Sequence, residues 1–224
     1  MSSIIFWIIS VSAILIGFTL WVVLTFSSRR SSLKFAAATR FAIVLGAYLF
    51  LWIALAFVLG SAGVLQATAT RALPSLGLTI TLPIILGTLF LYRSATLRAV
   101  VEVVPLPWLI GIQFYRTLGL IFLVLYWRGY LPGEFALPAG WGDIVVGLSA
   151  PVIAYSLYKG HRWSYSAALG WNLFGILDFV VAVATGFLSS PGPVQILALD
   201  EPNEMITAFP LNIVPLFVVP LSIL

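Results

Sequence analysis

The continuity of its apolar runs constrains this chain more than any other feature. Seven stretches of mostly apolar residues succeed one another, at 4–26, 41–64, 74–92, 107–127, 141–158, 166–188 and 206–224. Each is close to the roughly 20 residues that an α-helix needs to cross about 30 Å of hydrocarbon. The runs are unbroken and do not alternate, so an outer-membrane barrel does not fit. Composition closes the remaining route. Of 224 residues, 62% are apolar and 8% charged, whereas a soluble domain carries about 25% charged residues. The expected fold is all-α: a single transmembrane domain over 1–224, an integral membrane bundle of seven helices surrounded by membrane lipids.

Charge placement gives an orientation. No Lys or Arg precedes the first run, which is longer than the apolar region of a secretory signal and is read as a span. Arg29, Arg30, Lys34 and Arg40 follow it, which places the N-terminus outside. The loops then assigned to the cytoplasm hold those four bases plus Arg93, Arg98, Lys159 and Arg162; the outer loops hold Arg71 and Arg128. Glu134, Asp143, Asp200, Glu201 and Glu204 all fall outside. Seven passes put the C-terminus in the cytoplasm. The last run lacks a basic inner tail, so the protein is expected to continue beyond Leu224. Trp127, Tyr130, Trp141, Tyr158 and Trp163 sit at span ends, where interfacial aromatics belong. Residues 128–140, rich in Gly and Pro, are expected to form a compact outer turn. Two short apolar pieces, 194–199 and 99–105, are expected to lie in the interface.

Seven spans divide as three, one and three, leaving 1–92 and 141–224 as a weak parallel repeat linked by 107–127. An offset of 129 aligns Gly46, Phe50, Ser61 and Gln66 with Gly175, Phe179, Ser190 and Gln195. Parallel triplets of this kind occur in transporters.

Several function classes are excluded. There is no cysteine, hence no thiol chemistry, thiolate metal site or disulfide. The single histidine, His161, allows no bis-histidine haem and no zinc motif; it reads as a loop residue. Both lysines, Lys34 and Lys159, flank apolar runs, which removes a retinal Schiff base. The net charge of +4 is scattered at run ends and makes no phosphate-binding stripe, so nucleic acid is no partner. Neither a catalytic constellation nor a cofactor or metal ligand set is present, and no enzyme is expected.

Arg116 and Asp178 are the ionisable residues placed deep in spans. At 1.5 Å per residue their depths differ by about 5 Å or less. A lone charge at mid-bilayer costs at least about 2.5–3.5 kcal/mol, so the two are expected to face each other. Gly175 beside Asp178 and Gly119 beside Arg116 let neighbouring helices approach. Gln113, one turn from Arg116, is the nearest candidate for a further hydrogen bond, with Tyr115 or Asn172 if helix rotation allows. Asp143 is read as a first-turn residue of the fifth span, stabilised by the helix dipole, or as one wall of an outer vestibule with Arg128 and Glu134. Pro210, Pro215 and Pro220 recur at intervals of five and are read as packing kinks.

The segments Gln113-Phe114-Tyr115-Arg116, Pro138-Ala139-Gly140-Trp141-Gly142-Asp143, Trp171-Asn172 with Gly175 and Asp178, and 189–195 resemble a group of small bacterial membrane proteins of uncharacterised function. The resemblance covers roughly Arg71 to the C-terminus. It implies a multi-pass protein of the bacterial inner membrane and no particular activity. The leading expectation is a non-catalytic accessory or scaffolding subunit packed against a membrane-protein partner. The alternatives are a small-solute or proton-coupled transporter using Arg116 and Asp178, and a binder of a lipid, quinone or carotenoid.

Overall fold

The computed structural model describes residues 3–68 and 74–224, and among them it is all-α, with no β-strand. Helix α1 (Ser3–Ser28) turns back into α2 (Phe35–Ser61) through a turn closed by the Ser27 carbonyl, which accepts from the amides of Arg30 and Ser31 at 3.0 Å each. The Trp21 indole on α1 donates to the Ala42 carbonyl on α2 at 2.8 Å, and Gly46 leaves it room. Helix α3 (Pro74–Arg93) meets α4 (Ala95–Val101) at a 92° bend. Ser94 sits at the bend, its hydroxyl capping α4 by accepting from the Leu97 amide at 3.1 Å. Then come α5 (Leu106–Ile112), a 3-10 segment (Gln113–Gly119), α6 (Leu120–Trp127), α7 (Gly133–Tyr158) and α8 (Ser164–Ser189).

Among the described residues five helices are long and apolar enough to cross a membrane, or six if the bent pair α3–α4 counts as one span. Their outward faces carry large apolar side chains, Trp7, Phe50 and Leu177 among them, which is compatible with a multi-pass membrane protein. The seventh expected span is not a continuous helix. It is a 3-10 turn (Met205–Thr207), irregular turns, and one short helix, Val214–Ile223, whose first part (Val214–Val218) is π-helical and whose last part is α9 (Val219–Ile223). A proline also interrupts the bonding inside that helix. Pro220 has no N–H to offer the Leu216 carbonyl four residues earlier, and the Trp52 indole of α2 donates to that carbonyl at 3.1 Å.

This broken final element is the centre of the bundle. Phe217, Leu211 and Ile213 are fully buried within the main core, which draws on α1, α2, α6 and α7. The preceding irregular chain is tied down by buried polar groups: the Asn203 amide N–H donates to the Ser189 carbonyl at 2.8 Å, and Thr207 Oγ1 accepts from the Ala67 amide at 3.0 Å.

One further expectation needs correction. Residues 128–140 are not a compact loop: α7 begins at Gly133, with Pro132 at its N-cap and Pro138 inside the helix. A helix-interior proline is tolerated where surrounding helices satisfy the freed backbone. The segment 194–199 is irregular; the Gln195 side-chain amide donates to the Leu197 and Ala198 carbonyls, and Ala198 takes a φ of 50°. At 99–105, Val100 and Val104 are buried against Leu24 of α1. Arg71, one of the two bases expected outside, lies outside the described residues.

Trp52→Phe keeps the ring contact with Phe217, whose centroid lies 5.1 Å away, and removes the indole donor. It is expected to destabilise the fold by about 1–3 kcal/mol by leaving the Leu216 carbonyl unpaired, measured as a lower midpoint of thermal unfolding in detergent.

Candidate functional site

The 3-10 segment Gln113–Gly119 interrupts the helical line from α5 to α6 and packs on α7. Gly147 of α7 makes the approach: a Cβ there would lie 2.9 Å from Thr117 Cγ2 and 3.0 Å from the Arg116 carbonyl carbon. The tighter 3-10 winding turns Arg116 inward, between α7 and α8.

Arg116 is buried, and it holds two carboxylates rather than one. Its Nε donates to Asp143 Oδ1 of α7 at 2.7 Å. Its Nη2 donates to Asp178 Oδ2 of α8. Its Nη1 points at the Gly175 carbonyl, 3.4 Å away. The guanidinium carbon lies 3.8 Å from the centroid of the Phe179 ring, a cation–π contact. Each of the three guanidinium nitrogens is engaged once, which uses three of its five N–H donors.

Glycine sets the close fit on every side. Gly140, Asp143 and Gly147 stand at i, i+3 and i+7 on one face of α7. Gly175 stands one turn before Asp178 and faces Arg116, with a would-be Cβ 3.2 Å from Nη1. Asp178 Oδ1 lies directly against Gly142, and Asp143 against Gly119, so a side chain at either glycine would displace a carboxylate. Trp171 of α8 is pinned to α7 by its indole, which donates to Ser149 Oγ at 2.9 Å.

The two carboxylates differ in access. The Asp178 side chain is 5% exposed and its Oδ1 is sealed by Gly142. The Asp143 side chain is 18% exposed, and its Oδ2 has no hydrogen-bond donor among the described residues. With all three groups ionised the cluster carries one surplus negative charge, which the guanidinium cannot cancel.

The other residues singled out from the sequence go elsewhere. Asp143 is not in a first helical turn but ten residues into α7, about 15 Å along the axis. It shares no vestibule with Arg128, the exposed C-cap of α6, or with Glu134, exposed in the first turn of α7. Gln113 does not join the cluster: its Nε2 donates to the Ser222 carbonyl at 3.4 Å. Tyr115 hydrogen-bonds to Ser222 Oγ, and Asn172 faces outward. Exposed His161 stacks on Trp163 at 5.9 Å. Among the described residues no group of three or more His, Cys, Asp or Glu could hold a metal ion.

Two small cavities flank the cluster, of about 60 and 50 Å³. Both are smaller than the roughly 150 Å³ cavity that accommodates benzene, so neither offers a seat for a quinone ring or a polyene.

Removing one member of such a cluster leaves uncompensated buried charge. Arg116→Met is expected to cost about 3–5 kcal/mol. Adding Asp143→Asn and Asp178→Asn is expected to recover part of that loss, because no unpaired charge remains. Thermal unfolding in detergent checks both.

A family model described as "Domain of unknown function (DUF8737)" matches residues 73–224, more than half of the chain and all of the cluster. Comparison with curated proteins and with solved structures gives no match.

Proposed function

We propose that this chain, which belongs to the family described as a domain of unknown function (DUF8737), is a cation-coupled transporter of a bacterial inner membrane. Arg116, Asp143 and Asp178 form its coupling site. The observation that carries this reading is the surplus carboxylate. A single Arg–Asp pair is closed and neutral and suits a structural bridge. Two carboxylates on one guanidinium leave a negative charge in a low-dielectric core, where a lone ion is costly. A site with that charge balance is suited to receiving and giving up one monovalent cation. Isolation of the site among helices, with no catalytic or cofactor constellation beside it, favours movement of an ion over chemistry on a substrate.

In this reading the chain passes the membrane seven times, with the N-terminus outside. The seventh pass is the broken final element, which enters from the outer side. The distribution of bases supports this orientation. The natural absence of cysteine makes it simple to test. His161→Cys and Lys34→Cys are expected to resist an impermeant maleimide in intact cells, and Glu201→Cys to react; the reverse pattern contradicts the orientation.

The coupling site is tested by charge movement in proteoliposomes on a solid-supported membrane, after steps of pH or of sodium. Wild-type protein is expected to give a transient current. The neutral triple variant, Arg116→Met with Asp143→Asn and Asp178→Asn, is expected to elute as a folded monodisperse peak and to give none. Currents equal in both, or absent in both, overturn the reading.

A second reading, an accessory subunit of a membrane complex, draws on α2. Of its 27 residues, the buried ones are Ala38, Leu49, Ala56 and Gly60. Recovery of a stoichiometric partner in mild detergent is the expected result there, and a lone monomer contradicts it.

A further inference from the structure

Asp143 lines both cavities, and so do Phe122 and Val214. The first cavity lies against α1, at Ile9 and Ala13, and continues to Tyr115. The second runs between α7 and α8 to Phe135 and Gly186, about 12 Å along each helix from the cluster. Thus one carboxylate stands where two separate spaces meet, and the final element, entering at Val214, closes the gap between them. Asp178 lines neither of them.

From this geometry, and resting on the coupling-site reading above, we infer that the coupled cation is a proton, that Asp143 carries it, and that it is exchanged between the two cavities across a partition made by Phe122 and Val214. The chemistry of the lining selects the ion. A metal cation is held by several oxygens; the second cavity offers Asp143 in a wall of hydrocarbon, and the first adds only the Ser12 and Tyr115 hydroxyls beside the Arg116 cation, which repels a metal ion. A proton needs one oxygen; among the described residues Asp143 Oδ2 and Asp178 Oδ1 both lack a donor, and of the two acids only Asp143 borders the cavities, Asp178 Oδ1 lying against Gly142. Each cavity has room for a few water molecules at roughly 10–15 Å³ apiece. On arrival from one cavity the proton forms an O–H bond at Oδ2 and the cluster goes from one negative charge to none. On departure into the other cavity that bond breaks and the carboxylate is restored. Arg116 Nε–H stays on Oδ1 throughout, so the carboxylate keeps its place while its charge changes.

The ionisable groups facing Asp143 are Arg116 and Tyr115 from the 3-10 segment and Asp178 from α8. Among the described residues α1, α3 and the final element present none to either cavity. Tyr115 reaches Ser222 near the end of α9, which ties the first cavity to the same element that closes the partition.

Infrared difference spectroscopy across a pH step tests this on the full chain in lipid, using protein with 13C in the aspartate carboxyls. A carboxylic-acid C=O band sensitive to that label is expected on acidification. It is expected to persist in Asp178→Asn and in Asp200→Asn and to vanish in Asp143→Asn. If Asp143→Asn does not fold, persistence in the other two variants assigns the band by elimination, since the chain has only these three aspartates. A band lost with Asp178 or Asp200 overturns the inference, as does wild-type protein with no such band. A sodium-driven current without a proton-driven one would sink the inference and leave the coupling-site reading intact, whereas absence of both currents would sink that reading.

Discussion

A guanidinium shared between two carboxylates fixes the relation of three parts of this molecule. Arg116 belongs to the 3-10 segment, Asp143 to α7 and Asp178 to α8. Ions of both signs are expensive to bury, and the cost is met only when geometry lets each find its counter-charge and remaining hydrogen bonds. That requirement dictates the local backbone. The segment must approach α7 closely enough for Arg116 to reach across, hence Gly147 where Thr117 touches it. The helices must leave space for the acids, hence Gly142 against Asp178 and Gly119 against Asp143. The 3-10 winding, an unfavourable choice over seven residues, makes sense as the turn that aims the arginine inward.

The final element is governed by a different constraint. It is not one continuous helix, and yet it occupies the middle of the bundle, where unpaired carbonyls are costly. The chain resolves this with side-chain donors, one from outside the element and one within it. Trp52 supplies one to Leu216, while Ser222 of the same element donates to the Val218 carbonyl at 2.5 Å. The element bonds within itself along Val214–Ile223 and is pinned from outside by Trp52. It also stands between the two cavities.

Much of the architecture is legible in the sequence, because hydrocarbon imposes length and continuity on anything that crosses it. The long apolar helices follow from that alone. The meeting of Arg116 with Asp178 follows from depth, since similar counts of residues from a span end mean similar heights. Asp143 escaped the same argument through the start of α7. Gly and Pro at 128–140 look like a loop under rules learned in water, whereas Pro132 caps the helix and Pro138 is absorbed within it. Once the helix is extended to Gly133, the spacing of Gly140, Asp143 and Gly147 marks one face, and the carboxylate falls at the depth of its partners. The 3-10 winding left no such trace: nothing in Gln113–Gly119 breaks a helical pattern, and its geometry is set by what it must reach.

The central claim is that one guanidinium holds both acids. Solid-state NMR in lipid bilayers, with 15N in the arginine side chains and 13C in the aspartate carboxyls, reads this directly. The account predicts that the Arg116 nitrogens recouple with two aspartate carbons, and that Asp143→Asn and Asp178→Asn each remove one of the two signals. Recoupling to a single aspartate, or to none, would contradict it.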